Sequence, residues 1–157
     1  MKIVLLAVGK TSTPYIASAV GEYERRINRY LPFEISVIPD LKSSRALTEE
    51  VQKQREGAAI LASLQPGDYM VLLDERGREM TSREFAADID LRMVRGLKRL
   101  IYVVGGPYGF SPEVYARADA KLSLSRMTFT HEMVRLFFTE QIYRAMTILR
   151  GEPYHHD

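Results

Sequence analysis

Residues 101–109, IYVVGGPYG, and 122–145, LSLSRMTFTHEMVRLFFTEQIYRA, each run a short apolar strand into a loop marked by glycine or serine. In the first, the β-branched and aromatic run 101–104 stops at Gly105-Gly106-Pro107, with Gly109 close behind, as a buried strand entering a tight turn does. Paired glycines let a backbone approach a ligand closely. In the second, residues 122–124 pass through Ser125, Arg126, Met127, Thr128 and Phe129 into a long helix. That helix begins at Thr130 or His131 and ends near residue 149, before Gly151 and Pro153.

The same strand-then-helix unit recurs toward the amino terminus. Residues 3–8 read as a strand; Pro14 stands at a first helical position behind Ser12 or Thr13, and Ile16, Ala19, Val20, Tyr23 and Ile27 make one apolar stripe. Residues 33–38 are a second strand. Thr48, Glu49 and Glu50 open a second helix, which Pro66-Gly67 closes before a strand over 69–73. Thr81 with Glu84 forms a capping box for a third helix, and Ser111-Pro112-Glu113 starts a fourth. Alternating strands and helices predict one α/β domain over 1–157, with a mostly parallel sheet and helices on both faces. Ligands in such sheets bind beyond the carboxyl ends of strands, so the loops after Leu73, Val104 and Leu124 are the expected site.

With 157 residues the chain is long enough to bury about 68–70% of its unfolded surface around one core. The absence of cysteine excludes disulfides, thiolate zinc sites and a cysteine nucleophile, and suits a reducing cytoplasm. The apolar run at 3–8 is shorter than the roughly 7–15 residues of a signal peptide core and far below the ~20 of a membrane span, so neither is expected. A net charge of +2, from 22 Lys and Arg against 20 Asp and Glu, is not that of a broad polycation. The basic bias is local, at Arg25, Arg26 and Arg29, at Lys42 and Arg45, and at Arg92, Arg95, Lys98 and Arg99. Each cluster reads first as solvated cations near a helix carboxyl end. Neither a dinucleotide fingerprint nor a phosphate loop occurs.

The two loops, with the opening MKIVLLAVGK and the closing RGEPYHHD, resemble the bacterial large-subunit ribosomal RNA pseudouridine N3-methyltransferases, a single-domain family of the SPOUT class. The likeness covers essentially the whole chain and rests on the ordered set of four segments. It implies a homodimer that uses S-adenosyl-L-methionine, needs no metal and methylates N3 of a pseudouridine on assembled ribosomes in the cytoplasm. It also implies a carboxy-terminal trefoil knot, which general rules of chain threading would forbid. Residue by residue, the resemblance puts Gly105, with Gly106 beside it, at the cofactor turn and Leu73 on the neighbouring cofactor loop. Leu124, Ser125, Arg126, Met127, Thr128 and Phe129 match the third cofactor loop. His131 falls in the active site, and Tyr154 and His155 match a terminal motif that folds toward the substrate pocket. His156 stands where many members carry Arg or Lys.

Plainer readings of the same residues stand beside these. The glycine segment is a strand-ending turn, His131 a capping histidine, Glu140 with Arg144 an i,i+4 surface pair, and 154–157 a frayed end. Adjacent histidines seldom ligate one ion together, so no metal centre is expected. Methylation of transfer RNA or of a ribose hydroxyl, or a non-catalytic RNA-binding assembly role, remains open on this fold.

Overall fold

A computed structural model describes residues 1–40 and 48–156. Lys42 and Arg45, read above as a basic pair, lie outside them. Five strands, β1 (Lys2–Val8), β2 (Phe33–Ile38), β3 (Tyr69–Glu79), β4 (Arg99–Val104) and β5 (Ala120–Ser123), form one all-parallel sheet in the order β2-β1-β4-β3-β5. The helices are α1 (Pro14–Ile27), α2 (Glu49–Ala62), α3 (Ser82–Val94), α4 (Pro112–Arg117) and α5 (His131–Leu149).

Successive strand residues face opposite sides of a sheet. Ile3, Leu5 and Tyr102 accordingly pack with Ile27 of α1, Phe85 of α3 and Phe138 of α5, whereas Val4, Leu6 and Ile101 pack with Ile60 of α2 and Val114 of α4. Both faces are covered, which is why the strands read as unbroken apolar runs rather than alternating ones. Thr48, Thr81, Ser111 and Thr130 cap their helices by accepting the N–H three residues on. Thr13 does not: its own N–H is donated to the Glu132 carboxylate at 2.9 Å, and the Ser12 hydroxyl joins the same acid at 3.0 Å. A carboxylate from α5 thus takes the N-cap amide itself, while the Thr13 side chain makes no cap bond to the first turn.

The largest departure from the sequence reading is at the end of β3; the other strand ends shift by at most two residues. β3 continues past Leu73 to Glu79, because Leu122 of β5 pairs with both Leu73 and Arg78. Between those two positions the pairing shifts register, and the backbones approach most closely at Gly77, where a Cβ would stand 2.6 Å from the Leu122 nitrogen. Only glycine lets the two backbones lie that close. Residues 74–79 are polar, so the apolar pattern stops at Leu73 although the backbone pairing does not.

Candidate active site

The chain leaves β3 for α3 on one face of the sheet and leaves β4 for α4 on the other. Loops that part in this way open a crevice beyond the carboxyl ends of their strands. There lies a cavity of about 550 Å³, within the ~300–1,000 Å³ of small-molecule sites. Leu73, Gly105, Gly106, Leu124, Ser125, Met127, Thr128 and Phe129 all line it, and so does His131.

The glycine turn is closed by the Gly109 N–H donating to the Gly106 carbonyl at 3.2 Å, with Gly109 at a φ of +79°. The two preceding glycines are constrained from the protein side. A Cβ on Gly105 would stand 3.0 Å from the Phe110 ring, and one on Gly106 would stand 2.3 Å from Oε2 of Glu56, a buried α2 carboxylate that accepts from Gln52. In the third loop the Ser123 hydroxyl donates to the Ser125 carbonyl at 3.0 Å and the Ser125 hydroxyl accepts from the Met127 N–H at 2.9 Å. These two bonds turn Leu124 and Ser125 toward the cavity. Arg126 points elsewhere: its guanidinium lies exposed, 3.4 Å from Glu79.

His131 is the first residue of α5, exposed at the cavity rim. Two anchors, one near the surface and one buried, hold that end of the helix. Glu132 takes the amide and hydroxyls of the β1–α1 loop, as described, and Arg135 donates to the carbonyls of Val8 and Gly9 at 2.8 Å and to the Thr11 hydroxyl at 3.0 Å. Arg135 is 1% exposed, and burial lowers its pKa from the usual guanidinium value. Nothing in its spacing distinguishes it from a surface cation.

Asp74, Phe110 and Tyr115 also line the cavity and were not singled out in the sequence. Burial pushes the Asp74 carboxyl up, but the Tyr115 hydroxyl and the Arg76 N–H donate to it and hold it below its ordinary value. Partial burial, and then the same contact, raise the Tyr115 phenol to about 12. A fixed anion on the wall suits a cationic ligand. The available signal was position, since Asp74 directly follows the expected strand end.

Tyr154 and His155 are not on this cavity's lining within the one chain. They pack along α5: the Tyr154 hydroxyl donates to Glu140 at 2.9 Å, its ring meets Tyr143 edge-on at 4.7 Å, and His155 Nδ1 lies 3.0 Å from Arg144. Glu140 also lines a second cavity of about 300 Å³ that shares Leu122, Leu124 and Phe129 with the first. Around these cavities Met127, Phe129 and Phe137 are exposed. Tyr154 and His155 are therefore packed rather than frayed. Of the basic clusters, Arg25 and Arg26 pair with Glu22, Arg92 with Asp88, and Arg99 with Asp68. Among the described residues, no helix is long and apolar enough to cross a membrane.

Residues 1–155 match the family described as predicted SPOUT methyltransferase. The chain is 56% identical to the ribosomal RNA large subunit methyltransferase H of Parabacteroides distasonis, over 157 residues that cover all of both chains. It is 57% identical to the protein of that name from Porphyromonas gingivalis, again over the full length of both. Among solved structures, a putative methylase family protein of Neisseria gonorrhoeae shares the fold with a TM-score of 0.52 at 13% identity, covering 99% of this chain and 85% of that one. A probable methylase family protein of Haemophilus influenzae gives 0.51 at 13%, over 96% and 66%.

Proposed function

The chain belongs to the SPOUT methyltransferase family, and on that premise we propose that it transfers a methyl group from S-adenosyl-L-methionine to N3 of a pseudouridine in large-subunit ribosomal RNA, on assembled ribosomes in the cytoplasm. The observation that carries this reading is the full-length 56% identity to a ribosomal RNA large subunit methyltransferase H. The cavity of about 550 Å³ supports it, since the residues matched to the family's three cofactor loops converge there, Arg126 excepted.

The lining fits such a cofactor. Leu73, Val104 and Leu124 offer apolar walls, the 105–109 and 124–129 backbones offer amides and carbonyls, and Asp74 offers an anion to a cationic sulfonium and ammonium. When bound, the cofactor supplies an electrophilic methyl. The chain must hold the target nitrogen in line at about 3–3.5 Å and remove its proton, since neutral N3–H has no free lone pair for the new bond. His131 at the rim, with Tyr154 and His155, are the groups for that proton and for the base carbonyls. Because Tyr154 and His155 do not line their own chain's cavity, a homodimer in which the partner's tail closes it accounts for both; the exposed Phe129, Phe137 and Met127 supply an apolar surface for that contact. The family likeness alone brings a carboxy-terminal trefoil knot into this reading.

Mass mapping of ribosomal RNA from cells with and without the gene tests the assignment. One methyl on a large-subunit pseudouridine should vanish with the gene and return when purified protein and cofactor are added to those ribosomes. A lost methyl in transfer RNA or on a ribose hydroxyl instead would replace the substrate, and no lost methyl at all would refute the activity.

A further inference from the structure

Glu140 and Arg144 sit one turn apart on α5, and a turn-spaced acid and base on a helix are usually a surface pair of small consequence. Here the pair holds both functional groups of the tail. Arg144 donates to Glu140 at 2.6 Å, the Tyr154 hydroxyl donates to the same carboxylate oxygen at 2.9 Å, the Arg144 guanidinium lies over the Tyr154 ring at 5.0 Å, and Arg144 NH1 lies 3.0 Å from His155 Nδ1. The side chains of Arg144 and Glu140 are 25% and 19% exposed, so the cluster is partly shielded from water.

A guanidinium has donors only. At 3.0 Å the His155 Nδ1 must therefore present its lone pair, and a neutral imidazole then carries its proton on Nε2. The other contact is equally one-sided, because a carboxylate accepts and the Tyr154 phenol must give its proton into the bond. Burial and that bond raise the phenol's pKa, so it stays protonated near neutrality.

We infer that Glu140 and Arg144 are positioning residues for the tail: Arg144 fixes His155 as the Nε2–H tautomer, so that this ring donates a hydrogen bond to a carbonyl oxygen of the target base and does not take its N3 proton. Loss of the N3 proton leaves negative charge on the two flanking carbonyl oxygens of the ring. A donor aimed at one of them stabilises that charge as it develops, an effect of about 10²–10³ in rate when a single such donor is removed. With Tyr154 committed to Glu140 as a donor, proton removal falls to His131. This role rests on the reading above that the tail meets the substrate.

Two measurements on the full chain separate the two ideas. In histidine-labelled protein, the imidazole nitrogen shifts of His155, assigned by the signal that His155→Gln removes, should report the Nε2–H tautomer. Arg144→Lys, still a pure donor, should keep it, and Arg144→Met should give a mixture of tautomers. An Nδ1–H ring in the parent, or a tautomer unmoved by Arg144→Met, overturns the assignment. In single-turnover methylation of ribosomes, His155→Gln places an amide nitrogen near the Nε2 position and His155→Asn near Nδ1. Glutamine should retain at least ten times the rate of asparagine, with cofactor affinity the same in both. Equal, strongly reduced rates overturn the donor role, whereas two variants as fast as the parent overturn the placement of the tail in the active site.

Discussion

Replacing Gly105 by valine tests whether the glycine turn shapes the cofactor cavity, and the structure sets the size of the effect. A ligand that binds only the folded protein adds about 2.7 kcal/mol at a hundred times its dissociation constant. For a domain of this size each kcal/mol moves the melting temperature by roughly 2–4 °C, so saturating S-adenosylmethionine should raise it by about 5–11 °C. At Gly105 the new Cβ would stand 3.0 Å from Cε1 and Cζ of Phe110. Carbons prefer about 3.5–4.0 Å, so the ring must move by about 0.5 Å before the two valine methyls are placed. Phe110 meets Tyr115 edge-on at 5.7 Å, and Tyr115 holds Asp74. All three line the cavity, so one displaced ring carries its wall with it. Overpacking of this kind costs about 1–3 kcal/mol, which should lower the melting temperature of the ligand-free variant by about 2–12 °C. The cofactor response should be lost as well. The assay is a melting curve at increasing cofactor for parent and variant. A variant that melts lower yet rises with cofactor as far as the parent would show that the turn serves folding alone.

His131→Ala should leave cofactor affinity nearly intact and slow single-turnover methylation by about 10²–10⁴-fold, the range for losing a group that assists proton transfer; equal falls in affinity and rate would make it a helix cap. Arg135→Met should destabilise the protein by about 2–6 kcal/mol in denaturant unfolding, because the carbonyls of Val8 and Gly9 lose their buried donor at about 1–3 kcal/mol each. A loss under about 1 kcal/mol would mean that water or a neighbour takes over. Sedimentation should give a dimer at micromolar concentration, and a monomer with full activity would refute the composite cavity. Deleting residues 153–157 should abolish methylation of ribosomes while the chain still folds and binds cofactor. Some loss of stability should accompany it, because Tyr154 packs on Tyr143 and Glu140. Equal methylation by the truncated chain would leave the tail a packing element only.

The sequence by itself determined the elements, their order and the loops that form the cavity. Pro14, the Thr81–Glu84 box, Ser111-Pro112 and the run into His131 are signals read within a few residues, and local backbone chemistry is enough to start a helix there. The parallel sheet follows from alternation, and the site follows from where strands end. What only the tertiary structure decided depends on residues far apart in the chain. Arg135 looks like any helix cation until its partners at Val8 and Gly9, 127 and 126 residues away, come into place. Glu132 accepts the Thr13 amide across 119 residues, and Glu56 of α2 stands behind Gly106. Arg126 lies inside a loop that otherwise lines the cavity, yet two serine hydrogen bonds and Glu79 turn it outward. The extension of β3 past Leu73 is hidden for the same reason. Polar residues carry no period of burial, and a backbone ladder needs only a neighbouring strand, which the fold alone supplies.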